Sequence, residues 1–251
     1  MGVPSSTPIP RADLLRRLLA ELLGTGLLVT VVVGSGIMAQ QLSPHDVGLQ
    51  LLENSLATAF GLTVLILMLG PISGAHFNPV VTLADWALGH RTRSGMRTAM
   101  VVPYLVAQIV GAILGAVLAN TMFDTPTTIS TTHRATGGHL LGEVLATAGL
   151  ILVIFALART NRGALAAPAV GAYIGAAYWF TSSTSFANPA VTLGRIFTDT
   201  FAGIAPTSAP AFIGVQLVGA AVGCVLLLVL YPDVARSADD VVIPHLDQAS
   251  A

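Results

Sequence analysis

Asn78-Pro79-Val80-Val81-Thr82-Leu83 is followed, much further along the chain, by Asn188-Pro189-Ala190-Val191-Thr192-Leu193. Proline is tolerated in the first turn of a helix, where its missing N–H would have no partner anyway. Each Asn-Pro pair therefore reads as a helix start. The apolar runs that follow, 78–88 and 188–198, are too short to cross a hydrocarbon core, which takes about 20 residues. Both come directly after a longer apolar segment, so both read as half-helices that begin inside a membrane. One Asn-Pro pair would be a weak signal, since it also marks ordinary turns. Two symmetrically placed copies are a strong one.

The surrounding chain supports a membrane setting. Of 251 residues, 54% are hydrophobic and 9% charged, with a mean hydropathy of +0.79; soluble domains carry about 25% charged residues. All 11 basic residues are arginine, set against 12 acidic ones, so no basic stripe suggests nucleic acid. The single cysteine, Cys224, excludes an internal disulfide framework. Six segments have the length and composition of spans: 14–39, 49–69, 98–122, 140–158, 165–181 and 211–230. The first resembles a signal peptide only in its leading arginines; it is too long for an h-region of about 7–15 residues, and Glu21 interrupts it.

Arginines orient the chain. Arg11, Arg16, Arg17, Arg91, Arg93, Arg97, Arg159, Arg162 and Arg236 all fall on one side of a six-span topology, leaving Arg134 and Arg195 for the other. The positive-inside rule makes the richer side, with both termini, cytoplasmic. The expected organisation is a tail over 1–13, a channel-like unit over 14–231 and a polar, acidic tail over 232–251.

That unit divides into halves, 14–122 and 140–231. Gln108, Gly111 and Gly115 recur as Gln216, Gly219 and Gly223, and Glu21 near the start of span one is echoed by Glu143 in span four. Each half holds three spans, so the halves insert in opposite orientations, an arrangement common in transport proteins. Small residues four apart let membrane helices approach closely, which is the role expected of these glycines. The inversion brings the two half-helix N-termini together near the midplane, each with a positive dipole end. Asn78 and Asn188 then offer side-chain N–H donors, a geometry that repels cations while holding the oxygen of a neutral solute. The connecting segments 70–77 and 181–187 must be buried or wetted there.

Taken together, these residues resemble the aquaporin and aquaglyceroporin (major intrinsic protein) channels. Ser73-Gly74-Ala75-His76-Phe77-Asn78-Pro79 is similar to that family's first Asn-Pro-Ala loop, and Phe186-Ala187-Asn188-Pro189-Ala190 to the second. Ala20-Glu21-Leu22-Leu23-Gly24-Thr25 and Phe60-Gly61-Leu62-Thr63-Val64 resemble its first- and second-span patterns. The likeness spans about 14–231. It implies an all-α membrane fold of six spans and two re-entrant half-helices, a pore in each subunit, usually a homotetramer, and passive passage of water or small uncharged solutes without a cofactor.

The same resemblance places four residues at a narrow outer filter. Where the family normally has arginine, three residues after the second asparagine, this chain has Val191; Ser185 stands three before it, and Ala176 falls at the fifth-span position. The second-span position is Phe60 by sequence match and Thr58 by spacing. Small or apolar residues at three positions imply a wide filter. Val80, in place of the first motif's alanine, reads as a packing change. Arg195 lies one turn beyond Val191. It either returns a positive charge to the vestibule, or snorkels or binds a carbonyl at the half-helix end.

Glu21 and Glu143 are intramembrane carboxylates and hence functional candidates; their symmetry favours a supporting role in which each accepts N–H groups from its neighbouring loop. His76 is expected to line the cytoplasmic part of the pore rather than bind metal, having no second ligand at suitable spacing. Tyr178, Trp179 and Phe180 are expected at the outer interface. The leading reading is a passive channel for water, glycerol-like polyols and undissociated metalloid or arsenical species, since some bacterial relatives with valine at this filter position are linked with arsenic handling. The competing class is an ion-coupled secondary transporter with discontinuous helices. No nucleophile–base pair suggests an enzyme. The setting implied is the inner (plasma) membrane.

Overall fold

The computed structural model describes residues 10–89 and 95–232. Arg91, Arg93, Arg236 and most of both expected tails lie outside the described residues. Among the described residues eight α-helices follow in order: α1 Arg11–Leu42, α2 Val47–Ser73, α3 Pro79–Gly89, α4 Thr98–Met122, α5 Gly137–Arg159, α6 Ala166–Phe180, α7 Pro189–Gly194 and α8 Ala209–Leu230. Short 3₁₀ turns, Gly163–Leu165 and Arg195–Phe197, precede α6 and follow α7. Six of these segments are long and apolar enough to cross a membrane; α3 and α7 are not.

Sequence spacing explains the pairing. Helix α1 packs on α4 and α5 on α8, and glycines make each seam. A Cβ at Gly111 would run into the Leu22 carbonyl, and one at Gly115 into that of Gly26. At Gly219 and Gly223 the corresponding carbonyls, of Val144 and Ala148, would stand 2.6 Å away. The backbones touch because side chains are missing there. Large apolar residues such as Phe60, Leu141 and Val229, all about 70% exposed, instead cover the outer face, as expected where lipid replaces water.

Two elements differ from the reading of the sequence. Helix α2 continues through Pro71 to Ser73 rather than ending near residue 69. Gly74 then closes it at φ 86°, its N–H bonded to the Gly70 carbonyl at 2.8 Å, which is the left-handed termination glycine allows. The non-helical part of this loop is therefore only residues 74–77. Helix α7 stops after six residues and tightens into the 3₁₀ turn, a frequent way to finish a helix. Thr198 is pulled away by donating to Asn120 Oδ1 on α4 at 2.8 Å.

Candidate functional site

The two loops cross where α3 and α7 begin. Asn78 Oδ1 accepts the Val80 N–H at 3.1 Å, while Asn188 Oδ1 accepts those of Ala190 and Val191 at 3.0 and 3.2 Å. Each asparagine thereby caps its own half-helix. Each amide nitrogen also donates across the junction: Asn78 Nδ2 to the Ala187 carbonyl and Asn188 Nδ2 to that of Phe77, both at 2.8 Å. One N–H of each amide is thus used to join the loops, and the other is left for whatever occupies the cavity that both residues line.

The backbone leading to this point is strained in the same way twice. Ala75, Phe77, Ser185 and Ala187 all have φ between 47 and 49°, left-handed values that cost a non-glycine residue about 1–2 kcal/mol. Buried carboxylates hold them. Glu21 accepts the N–H groups of His76 (3.0 Å) and Phe77 (2.8 Å), the Ser73 hydroxyl (2.6 Å) and the Gln108 amide (2.7 Å). Glu143 accepts the N–H groups of Phe186 and Ala187, both at 2.8 Å, and the Gln216 amide at 2.6 Å. Both glutamates are fully buried. Carboxylates so saturated with donors hold a loop in place.

Gln108 and Gln216 complete the arrangement. Each also donates to a half-helix threonine, Thr82 at 2.9 Å and Thr192 at 3.0 Å. Their recurrence is visible in the sequence, but their role as donors to the carboxylates and threonines is not. His76 Nδ1 lies 3.0 Å from the same Thr82 hydroxyl, and its Nε2 is 3.6 Å from Asp85 on α3.

A cavity of about 60 Å³ runs past both asparagines, from His76 at one end to Arg195 at the other. One wall is apolar, with Leu62, Ile66, Leu150 and Ile154. Thr58, Ser185 and Val191 line it as well. Phe60 does not: it is 68% exposed on the outer face, because two residues along a helix is about 200° around it. Ala176 likewise faces outward, while Ile174 and Tyr178 line the cavity from α6. Tyr178 is therefore not an interface aromatic; it is buried, its hydroxyl 3.1 Å from that of Thr58. Trp179 and Phe180 do lie exposed beside it.

Arg195 is only 2% exposed. Its Nε donates to the Ala202 carbonyl, and its guanidinium carbon sits 3.5 Å from the centroid of the Phe186 ring. Arg134, in the segment between α4 and α5, approaches the same ring at 5.3 Å. It donates to the carbonyls of Gly203 (2.7 Å) and Phe201 (2.8 Å). Burial pulls the Arg134 guanidinium below its usual pKa, with Tyr178 and Glu143 acting in the opposite direction.

Six spans in two inverted halves, with half-helices meeting over a narrow cavity, define a passive membrane channel for water and small solutes such as glycerol, not an enzyme. The chain belongs to the major intrinsic protein family, whose sequence profile matches residues 9–187. It is 49% identical over 217 residues to aquaglyceroporin AqpS of Rhizobium meliloti (strain 1021), a match covering 86% of this chain and 89% of that one. It is 34% identical over 189 residues to aquaporin NIP2-1 of Oryza sativa subsp. japonica, covering 72% and 60%. Among solved structures, the aquaglyceroporin from Plasmodium falciparum superposes with a TM-score of 0.64 over 90% of this chain and 99% of that one. At 22% identity, that likeness speaks to the fold.

Proposed function

We propose that this channel admits glycerol-sized neutral solutes as well as water, through a filter formed by Thr58, Tyr178, Ser185 and Val191. The observation that carries this reading is Val191, which lines the cavity with an apolar side chain where the family usually places arginine. A polyol presents carbons on one side and hydroxyls on the other. The wall of Leu62, Ile66, Leu150 and Ile154 suits the first, and the amides of Asn78 and Asn188 suit the second. Tyr178 in place of the expected Ala176 makes the filter narrower than the sequence implied, so its width comes from Val191 rather than from uniformly small residues. Undissociated metalloid or arsenical acids, neutral and hydroxyl-bearing, fit the same description. The name of the Rhizobium relative, an aquaglyceroporin, supports the glycerol part of this reading.

The positive half-helix ends at the crossing oppose cations and protons. The channel unit extends over 14–231, in the inner (plasma) membrane with both termini cytoplasmic, as the arginine distribution supports. It assembles as a homotetramer, as members of the family usually do. His76 then lines the cytoplasmic half, and Val191 and Arg195 the outer half.

Stopped-flow light scattering on proteoliposomes tests the filter. Wild type is expected to pass water and glycerol faster than empty vesicles. Val191→Arg should lower glycerol permeability at least about tenfold while sparing water. Glycerol flux unchanged in Val191→Arg, or absent in wild type, overturns the reading.

A further inference from the structure

The end of the cavity beyond Val191 holds polar groups that the protein itself leaves unsatisfied. Arg195 is almost wholly buried, yet its side chain's one hydrogen bond among the described residues runs from Nε to Ala202. Its two terminal nitrogens, with four N–H donors between them, bond to no acceptor among the described residues, and Arg195 is one of the residues lining the cavity. Ser185, on the same cavity wall, has a buried Oγ with no hydrogen-bond partner at all. Buried polar groups are nearly always paired, so the Ser185 hydroxyl, in the same cavity as a guanidinium with donors to spare, calls for an explanation.

The guanidinium is also held stiffly. Its Nε is tied to a carbonyl and its plane rests on Phe186, which in turn packs edge-on against Phe212 at 5.2 Å. No carboxylate forms an ion pair with it among the described residues. Arg134, on the same ring, adds a second positive charge. A rigid, unpaired guanidinium fork is suited to acceptor oxygens presented in a plane.

We propose that Arg195 and Ser185 form a binding site for the acceptor oxygens of a small oxo compound. A neutral oxo solute rests there on its way through. A small oxyanion lodges there and goes no further, because it fits the fork but still has to enter the apolar stretch of the pore. Arg195 is then a specificity-determining residue, acting one turn away from the position where this chain has Val191. The inference rests on the reading of Val191 as part of the filter, but its first readout does not depend on flux.

Methanesulfonate is a suitable probe, with chloride at equal ionic strength as the control. Thermal unfolding of the purified protein in detergent should show a higher Tm in methanesulfonate than in chloride, since a ligand that binds the folded state raises Tm. The rise should vanish in Arg195→Leu, shrink in Arg195→Lys, which keeps the charge but loses the fork, shrink in Ser185→Ala, and persist in Arg134→Leu. In proteoliposomes, methanesulfonate present on both sides should slow wild-type glycerol flux reversibly, with roughly tenfold weaker block in Arg195→Lys. If Arg195→Leu does not fold, the lysine and alanine variants decide. An equal Tm in the two salts, an equal rise in wild type, Arg195→Lys and Ser185→Ala, or loss of the rise in Arg134→Leu alone overturns the proposal. Wild-type vesicles that pass no glycerol overturn the filter reading instead and leave the Tm comparison intact.

Discussion

The loop ending at Asn78 and the loop ending at Asn188 are nearly the same object where they meet and different objects at their far ends. Near the crossing each has left-handed residues one and three before its asparagine, a capping asparagine, a buried glutamate and a glutamine–threonine pair. Away from it, the first loop leads to an eleven-residue helix with His76 packed toward Asp85. The second leads to six helical residues, a 3₁₀ turn and Arg195. Shared geometry therefore concentrates at the crossing of the loops, and variation at their far ends. Holding strained backbone at membrane depth has few solutions; shaping an entrance has many.

The largest test of the comparison is to remove the carboxylates. Glu21→Ala would strand four donors and Glu143→Ala three. Each stranded group costs about 1–3 kcal/mol, so neither variant should give much monodisperse protein. Glu21→Ala should be the worse. Equal or reversed losses on size-exclusion chromatography would mean that donor number does not set the difference between the loops.

A smaller effect is expected at the helix seams. Gly115→Val drives a side chain into the backbone of Gly26, whereas at Gly223 the opposing Ala148 carbonyl stands slightly further off. Gly115→Val should cost about 3 kcal/mol and Gly223→Val less, read as midpoints of unfolding by SDS in mixed micelles. A larger loss at Gly223 would place the tighter seam in the second half.

The smallest effect has the opposite sign. Ala187→Gly relieves a left-handed residue without touching a hydrogen-bonding side chain. It should stabilise by up to about 1 kcal/mol, the relief being partly offset by the greater freedom of glycine in the unfolded chain. Ala75→Gly should behave alike, at φ 49° against 47°. A clear loss in one and gain in the other would show that the two loops are strained for different reasons.

Much of this was legible beforehand, and the reasons are specific. The doubled Asn-Pro runs and the four-apart glycines carry backbone requirements, and such requirements leave marks on single residue types. Ala176 and Phe60 were misplaced for a different reason. Ala176 came from counting back, which assumes a loop of standard length, and here α6 ends at Phe180; Phe60 came from matching a residue pattern, whereas the spacing count gave Thr58, which lines the cavity. A slip of two residues turns a helix face by about 200° and exchanges pore for lipid. Tyr178 was hidden for a related reason: an aromatic triplet at a helix end looks like an interface belt until the side chains are placed. Gln108 and Gln216 were seen as a repeat but not as donors, because nothing local to them names a partner 87 or 73 residues away.

The wiring of the carboxylates has a consequence for biosynthesis. Every group that Glu21 receives, from Ser73, His76, Phe77 and Gln108, belongs to the first half of the chain, and every group that Glu143 receives belongs to the second. The first loop can be drawn into its bent shape as soon as α4 has left the ribosome, before any of α5 exists. The amide bridges from Asn78 and Asn188 are then formed between two finished pieces, so that late assembly is a matter of docking.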